Sequence, residues 1–250
     1  MSQFGSLYSQ YYELLYQDKD YAKEADYVDR LIQQNLDRPK TILNLGCGTG
    51  KHDELLHDRG YQIHGVDMSE EMLVIAKNKE KSGLHFSQAN IQQLSLSQTF
   101  DAAISLFHVM SYQTTNLALD QVFSGVSRHL NNDGLFIFDF WYGPAVLTDL
   151  PKNTIKRLES DQVKVLRVAE PSMHVDLNTV NVNFDIFITQ KSDNQLTHQK
   201  ELHTMRFFFD PELEEICSRH GFRVESKHRW LGDDLPDFNT WNAVWVLRKV

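Results

Sequence analysis

The sequence has 250 residues, with 34 acidic and 25 basic side chains and a formal charge of −9. That surplus of carboxylates argues against nucleic acid as the main partner, because phosphate binding needs clustered Lys and Arg. No apolar stretch approaches the ~18 residues of a membrane span, Met1-Ser2-Gln3-Phe4 lacks the features of a signal peptide, and Cys47 and Cys217 make no disulfide framework. A cytoplasmic globular protein without membrane contact is expected.

Residues 1–39 form the first segment and are rich in tyrosine: Tyr8, Tyr11, Tyr12, Tyr16, Tyr21 and Tyr27. Within Ala25–Leu36, Tyr27, Val28, Leu31 and Ile32 recur at a helical period, which predicts an N-terminal helical cap. Residues 40–150 then alternate. Strands are read at Thr41–Leu45, Gln62–Val66, Leu84–Gln88, Phe100–Leu106 and Leu135–Phe140, with helices near Lys51–Arg59, Glu70–Lys81 and Leu117–Leu130. This order predicts an α/β core with a parallel sheet and crossover helices.

Across residues 151–209 the pattern changes to period two. Val180, Val182, Phe184, Ile186 and Ile188 alternate with Asn181, Asn183 and Asp185, so an antiparallel β insertion with one wet face is expected. Val163–Val168 and Gln199–Phe209 read as its neighbouring strands. In residues 210–250, Asp210-Pro211-Glu212 reads as a helix start with Asp210 as the cap, and Gly221 as its end. Phe222–Trp230 and Trp241–Arg248 read as strands that complete the core sheet.

The chemistry concentrates at Ile42-Leu43-Asn44-Leu45-Gly46-Cys47-Gly48-Thr49-Gly50, a buried strand emptying into a loop with Gly at every second position. Glycine tolerates backbone angles closed to other residues and has no Cβ to keep a ligand from the main chain. A dinucleotide fingerprint needs Gly at the sixth position, where this chain has Lys51. The second strand ends in Gly65-Val66-Asp67, an acid placed to accept both hydroxyls of a ribose. After it, Ser69 can cap a helix with Glu70 and Glu71 in its first turn. Leu45-Gly46-Cys47-Gly48-Thr49-Gly50 and Gly65-Val66-Asp67-Met68-Ser69 resemble the first two motifs of the class I S-adenosylmethionine-dependent methyltransferases. The resemblance implies a Rossmann-like seven-stranded sheet and S-adenosyl-L-methionine as cofactor. It also implies methyl transfer to an amine or hydroxyl of a small-molecule acceptor.

Asn44 stands where the family usually has Asp, which keeps one acceptor but loses the charge. Asn90 and Ile91 follow the third strand, where an acid often accepts the adenine amino group. Leu106, Phe107 and His108 end the fourth strand. They lack the Asn- or Asp-Pro-Pro-aromatic motif of enzymes that methylate nucleic acid bases. His108 is the candidate catalytic residue, taking up a proton or holding the acceptor; its other reading is a structural histidine at the sheet edge. Tyr12 to Tyr21 and Glu201 to Phe208 loosely resemble the subgroup that dimethylates sugar amines. In that subgroup, tyrosines matching Tyr16 and Tyr21 cover the cofactor.

The cofactor set is therefore Tyr16, Tyr21, Gly46, Cys47, Gly48, Gly50, Asp67, Met68, Asn90, Ile91, Leu106 and Phe107. Tyr12, His203 and Arg206 are substrate candidates. His203 and Arg206 are three apart on a strand, so at most one is expected to face the acceptor. The eleven histidines show no metal-ligand spacing, and no metal is expected. A nicotinamide oxidoreductase and a non-catalytic cofactor-binding protein are the rival functions. The oligomeric state is left open, a homodimer included.

Overall fold

The computed structural model describes residues 14–250. Its core strands are β1 (Thr41–Leu45), β2 (Gln62–Asp67), β3 (Leu84–Gln88), β4 (Phe100–Ser105) and β5 (Leu130–Tyr142), mutually parallel in the order β3-β2-β1-β4-β5. The insert is an antiparallel run of β6 (Thr154–Glu159), β7 (Val163–His174), β8 (Thr179–Gln190) and β9 (Leu196–Phe208). The chain then returns through β10 (Phe222–Arg229) to β11 (Asn242–Lys249), which lies antiparallel on β5 from Leu135 to Trp141. Six described α-helices cover the sheet: α1 (Tyr21–Asn35), α2 (Lys51–His57), α3 (Glu70–Lys77), α4 (Asn116–His129), α5 (Gly143–Thr148) and α6 (Asp210–Arg219).

Buried strands of a parallel sheet are apolar on both faces, and β5 shows how the two cores are separated. Phe136, Phe138 and Phe140 point to the side of α4 and α6, where Phe123 and Phe222 pack edge-on against them. Leu135 and Ile137 point to the other side and meet Val28, Leu31 and Ile32 of α1 with Val244 and Val246. Asp139 interrupts this pattern, fully buried in the middle of the run.

The expected seven strands are present, but the sheet is larger, at 11 strands. Beyond the end of β4 its edge of β5 is vacant, and β9 takes it through Trp141↔Phe207 and Tyr142↔Phe208. The insert is thus a continuation of the sheet over the ends of the parallel strands. The sequence reading missed β6, whose side chains are mostly exposed and lack alternation. Helix α1 starts at Tyr21, earlier than the apolar period suggests, because the Asp20 carboxylate caps the Lys23 N–H at 2.9 Å. Asp210 is the first residue of α6 and not its cap; the Glu212 carboxylate reaches back to accept the Phe209 N–H.

Beneath the glycine loop, Asn44 of β1 donates its amide to Asp53 of α2 at 2.7 Å, both fully buried. The acid that the resemblance placed at position 44 is supplied from the helix instead. Burial pushes the Asp53 carboxyl up to about 7, against the opposing hydrogen bond from Asn44. The Asn44 side-chain oxygen and the second Asp53 oxygen have no hydrogen-bond partner. An acid whose folded pKa is raised contributes stability below its unfolded pKa near 3.8, and that stability is lost as pH rises toward 7. Asp53→Asn creates a reciprocal amide pair and removes a charging cost of about 4 kcal/mol at pH 8. Thermal unfolding at pH 5 and pH 8 checks this: the variant should gain on the wild type at pH 8, and an equal difference at both pH values would refute it.

Candidate active site

The C-terminal ends of β1 to β5 open at one edge, where an α/β sheet binds ligands. A cavity of about 700 Å³ lies there, within the range of small-molecule sites. Its floor is the glycine loop. Gly46, Gly48 and Gly50 have φ of 75°, 56° and 74°, the left-handed region that explains glycine at alternate positions. Gly46 and Cys47 donate their N–H groups to Val66 O, which ties the loop to β2. A Cβ on Gly48 would meet nothing within 4 Å, so this residue presents bare backbone to the cavity. Gly50 differs: a Cβ there would lie 2.6 Å from the Phe86 ring. It faces the core and does not line the cavity, so its place in the cofactor set is corrected to a packing role.

Asp67 ends β2 with both oxygens engaged once, by the N–H of Gly48 and of Ser69 at 2.8 Å each. Burial pushes its carboxyl up in spite of these bonds. Each oxygen keeps a second lone pair, so hydroxyl donors from a ligand can complete the shell. Asn90 and Ile91 border the cavity beyond β3, but the Asn90 side-chain oxygen already caps the Gln92 N–H. Met68 and Leu106 line it as well. Cys47 is a buried wall residue whose thiol burial pushes well up, making it a poor nucleophile.

The lid comes from the N-terminal segment. Tyr16 meets Phe107 edge-on at 4.9 Å, and Tyr21 lies 5.0 Å from His52, all four lining the cavity. Tyr12 falls outside the described residues. The segment is anchored by Glu24, which pairs with Lys19 and with His52 Nε2. Burial raises the Glu24 carboxyl, but these two partners outweigh it and bring it down to about 2.

Phe107 and His108 both have left-handed backbones, φ 66° and 64°, at the exit of β4. Asp139 accepts the His108 N–H at 3.0 Å, and its other oxygen lies 2.8 Å from His108 Nδ1, a close contact without the geometry of a hydrogen bond. Ser111 Oγ accepts the Trp141 N–H, so the Val109–Tyr112 turn is fastened to β5 at two points.

The insert forms the far wall, and here the sequence reading was incomplete. His203 of β9 lines the cavity, its Nδ1 2.7 Å from the Tyr112 hydroxyl and its Nε2 3.1 Å from Glu201. Burial pushes the Tyr112 hydroxyl far above its usual range, so it donates to Nδ1 and leaves Nε2–H to face Glu201. Arg206 points the other way, paired with Glu212 and lying over Phe208, and is removed from the substrate candidates. Its face is the one the three-residue spacing set against that of His203. Tyr112, Trp141, Arg167 and Phe184 also line the cavity and were not foreseen. Asp139 was legible as a lone carboxylate inside Leu135–Trp141; the others carry no local signal. Among the described residues no cluster of metal-ligating side chains occurs, and no helix is long and apolar enough to cross a membrane.

A profile described as a methyltransferase domain matches residues 42–134. Over 251 aligned positions the chain is 30% identical to a Geobacillus sp. (strain WCH70) protein that carries a methyltransferase name without a stated substrate, covering 97% of this chain and 98% of the relative. The chain belongs to the class I S-adenosylmethionine-dependent methyltransferases. It is therefore an enzyme of that chemistry and not one of the nicotinamide oxidoreductases built on a related sheet. It is similar to the dTDP-3-amino-3,4,6-trideoxy-alpha-D-glucopyranose N,N-dimethyltransferase of Streptomyces venezuelae, at 26% identity over 86% of this chain and 89% of that one. Among solved structures, an S-adenosylmethionine-dependent methyltransferase from Clostridium acetobutylicum ATCC 824 shares the fold with a TM-score of 0.81. The identity is 24% and the coverage 96% of each chain.

The bare backbone at Gly48 and the half-filled carboxylate of Asp67 fit the methyltransferase cofactor. The two glycines make separable predictions. Gly48→Ala should weaken S-adenosylmethionine binding while costing only the ~1–2 kcal/mol of a left-handed alanine. Gly50→Ala should lower the melting temperature further, because its Cβ must displace Phe86. Calorimetry with thermal unfolding separates them, and equal loss of affinity at equal stability would contradict the assignment.

Proposed function

We propose that this methyltransferase acts on the amine of a small, sugar-like acceptor. The observation that carries the reading is the acceptor half of the cavity. It is roofed by the insert and holds two imidazoles, each backed by a carboxylate: His108 by Asp139 and His203 by Glu201. The S. venezuelae relative named above, an N,N-dimethyltransferase of a dTDP-amino sugar, supports the same class. A cavity closed by lid and insert suits a small molecule better than a nucleic acid or protein surface, and the −9 charge agrees.

Bound S-adenosylmethionine supplies an electrophilic sulfonium methyl group. In our reading Asp67 accepts the ribose hydroxyls, and the Gly46–Gly48 backbone together with Tyr16 and Tyr21 encloses the methionine end. The adenine lies against Met68, Asn90, Ile91 and Leu106. Because the Asn90 oxygen is already engaged, the Gln92 side-chain oxygen, whose amide nitrogen donates to Gln113, is the more available acceptor. Trp141 and Phe184 give the acceptor an apolar wall, and Tyr112 with His203 orients its polar groups. Alignment of amine and methyl in a water-excluding site supplies several kcal/mol of the barrier.

An acceptor amine must reach the reaction uncharged, and the product ammonium must lose a proton. His108 Nε2 is the acceptor for that proton, since Nδ1 faces Asp139. The carboxylate stabilises the positive charge created on the ring. An imidazole is a sufficient base for an ammonium and a poor one for an unactivated hydroxyl, which favours nitrogen.

Two measurements test the proposal. Turnover with amino sugars should give S-adenosylhomocysteine and a methylated amine by mass spectrometry, whereas matched sugars with a hydroxyl in place of the amine should be inert. The reverse selectivity refutes the amine reading. His108→Asn should lower kcat by roughly 10²-fold with the cofactor Kd unchanged; an unaltered kcat removes His108 from the chemistry.

A further inference from the structure

Gln199, Glu201 and His203 occupy alternate positions of β9 and share the face on which His203 lines the cavity. Glu201 and His203 are both buried. The Gln199 amide donates to Glu201 Oε1 at 2.7 Å, and the other carboxylate oxygen, Oε2, lies 3.1 Å from His203 Nε2. On the far side of the ring, His203 Nδ1 lies 2.7 Å from the Tyr112 hydroxyl. The Phe184 ring meets the imidazole edge-on at 5.0 Å and holds its plane.

A carboxylate has lone pairs and no proton, so the nitrogen facing Glu201 must carry the imidazole hydrogen. A neutral imidazole has one such hydrogen, which leaves Nδ1 as an acceptor. The Tyr112 hydroxyl, which burial pushes far above its usual range, keeps its proton and gives it to Nδ1. Glu201 thereby decides the direction of every bond in the chain. Tyr112 lines the cavity, but its one hydrogen is committed to His203. Toward a ligand its oxygen accepts and cannot donate.

His108 stands at the other end of the same turn, and a carboxylate acts on it in the same way. Its Nδ1 faces Asp139, so its Nε2 is the acceptor. The turn thus offers an acceptor at each end. An uncharged primary amine brings two N–H donors and one lone pair; with both hydrogens held, the lone pair is left for the methyl group. A hydroxyl has one hydrogen and satisfies one acceptor only.

We infer that Glu201 is a positioning residue that acts through His203, turning the Tyr112 oxygen into a hydrogen-bond acceptor for one N–H of the acceptor amine. The inference rests on the amine reading above and adds the group that orients the amine and disfavours a hydroxyl.

Glu201→Gln tests it by reversing the chain without changing its shape. Gln199 keeps the Oε1 position as an acceptor, so the new amide nitrogen falls at Oε2 and donates to Nε2. Nδ1 then carries the hydrogen and donates to Tyr112, whose own hydrogen turns into the cavity. NMR of the imidazole nitrogens, with His203 identified by its loss in His203→Gln, should show the Nε2–H form in the wild type and the Nδ1–H form in Glu201→Gln. In the same variant kcat/KM for glucosamine should fall roughly tenfold, the scale of one lost hydrogen bond, with S-adenosylhomocysteine affinity unchanged. Tyr112→Phe should cost as much, and adding Glu201→Gln to it should cost nothing further. A wild-type His203 protonated at Nδ1, full turnover in Glu201→Gln, or additive losses in the double variant overturns the inference. Should Glu201→Gln fail to fold, an Nδ1–H wild type or undiminished turnover in Tyr112→Phe overturns it. Methylation of the matched hydroxyl sugar alone, with the Nε2–H form in place, sinks the amine reading and the inference built on it. Amino-sugar turnover that ignores Glu201→Gln sinks the positioning role alone.

Discussion

Asp139 fixes the turn that closes the strand-end cavity over the glycine loop. Two consecutive non-glycine residues, Phe107 and His108, adopt left-handed backbones, each costing ~1–2 kcal/mol. A hydrogen bond to a buried carboxylate is worth ~1.5–3 kcal/mol, the same scale, so the His108 N–H bond to Asp139 can hold a turn that would otherwise relax. The turn then drives Val109 over Gly46, where a Cβ would lie 2.6 Å from a Val109 methyl. One carboxylate in an apolar strand thus sets the imidazole, shapes the roof of the glycine loop and explains why position 46 must be glycine.

The lid depends on a second buried carboxylate. Glu24 gathers Lys19, His52 and the Trp230 indole from three parts of the chain, joining the N-terminal segment to the glycine-loop helix and the β10–β11 connection. Because its pKa is lowered to about 2, the stability it contributes is present above its unfolded value of 4.5 and is lost as pH falls toward 2. Lys19 also lies 4.2 Å over the Phe107 ring, and Lys51 lies 5.0 Å over Tyr21. The tyrosine lid is therefore held by charge at its base and by aromatic edges at its tip.

The insert shows why an added sheet can change chemistry without changing the fold. Its strand ladder to the core consists of two residue pairs, at Trp141 and Tyr142, and those residues continue the strand that carries Asp139. The attachment places His203, Phe184 and Arg167 opposite the strand ends. Their identity can vary without touching the glycine loop or Asp67. The glycine-loop side and the insert side of the cavity are thus built from different stretches of chain, with the Phe107–Tyr112 turn between them.

The glycine loop, Asp67, the helices on either side and most of the parallel strands were legible because each rests on local rules: positive φ needs glycine, a strand end exposes an acid, a cap needs a short polar side chain. Ser69 caps α3, accepting the Met72 N–H as its position suggests. Gly50 misled because spacing identifies a glycine but cannot say whether its missing Cβ admits a ligand or a Phe86 ring. Arg206 was ambiguous because period two gives opposite faces and not which face is wet. The Asn44–Asp53 exchange, the Tyr112–His203–Glu201 chain and the Asp139 contact join residues 9, 91 and 31 positions apart. Sequence by itself determined the cofactor chemistry and the α/β core, since those are written in contiguous motifs. Only the tertiary structure decided which side chains of the insert face the cavity, because there the partners are set by strand register across the sheet, which no local pattern specifies.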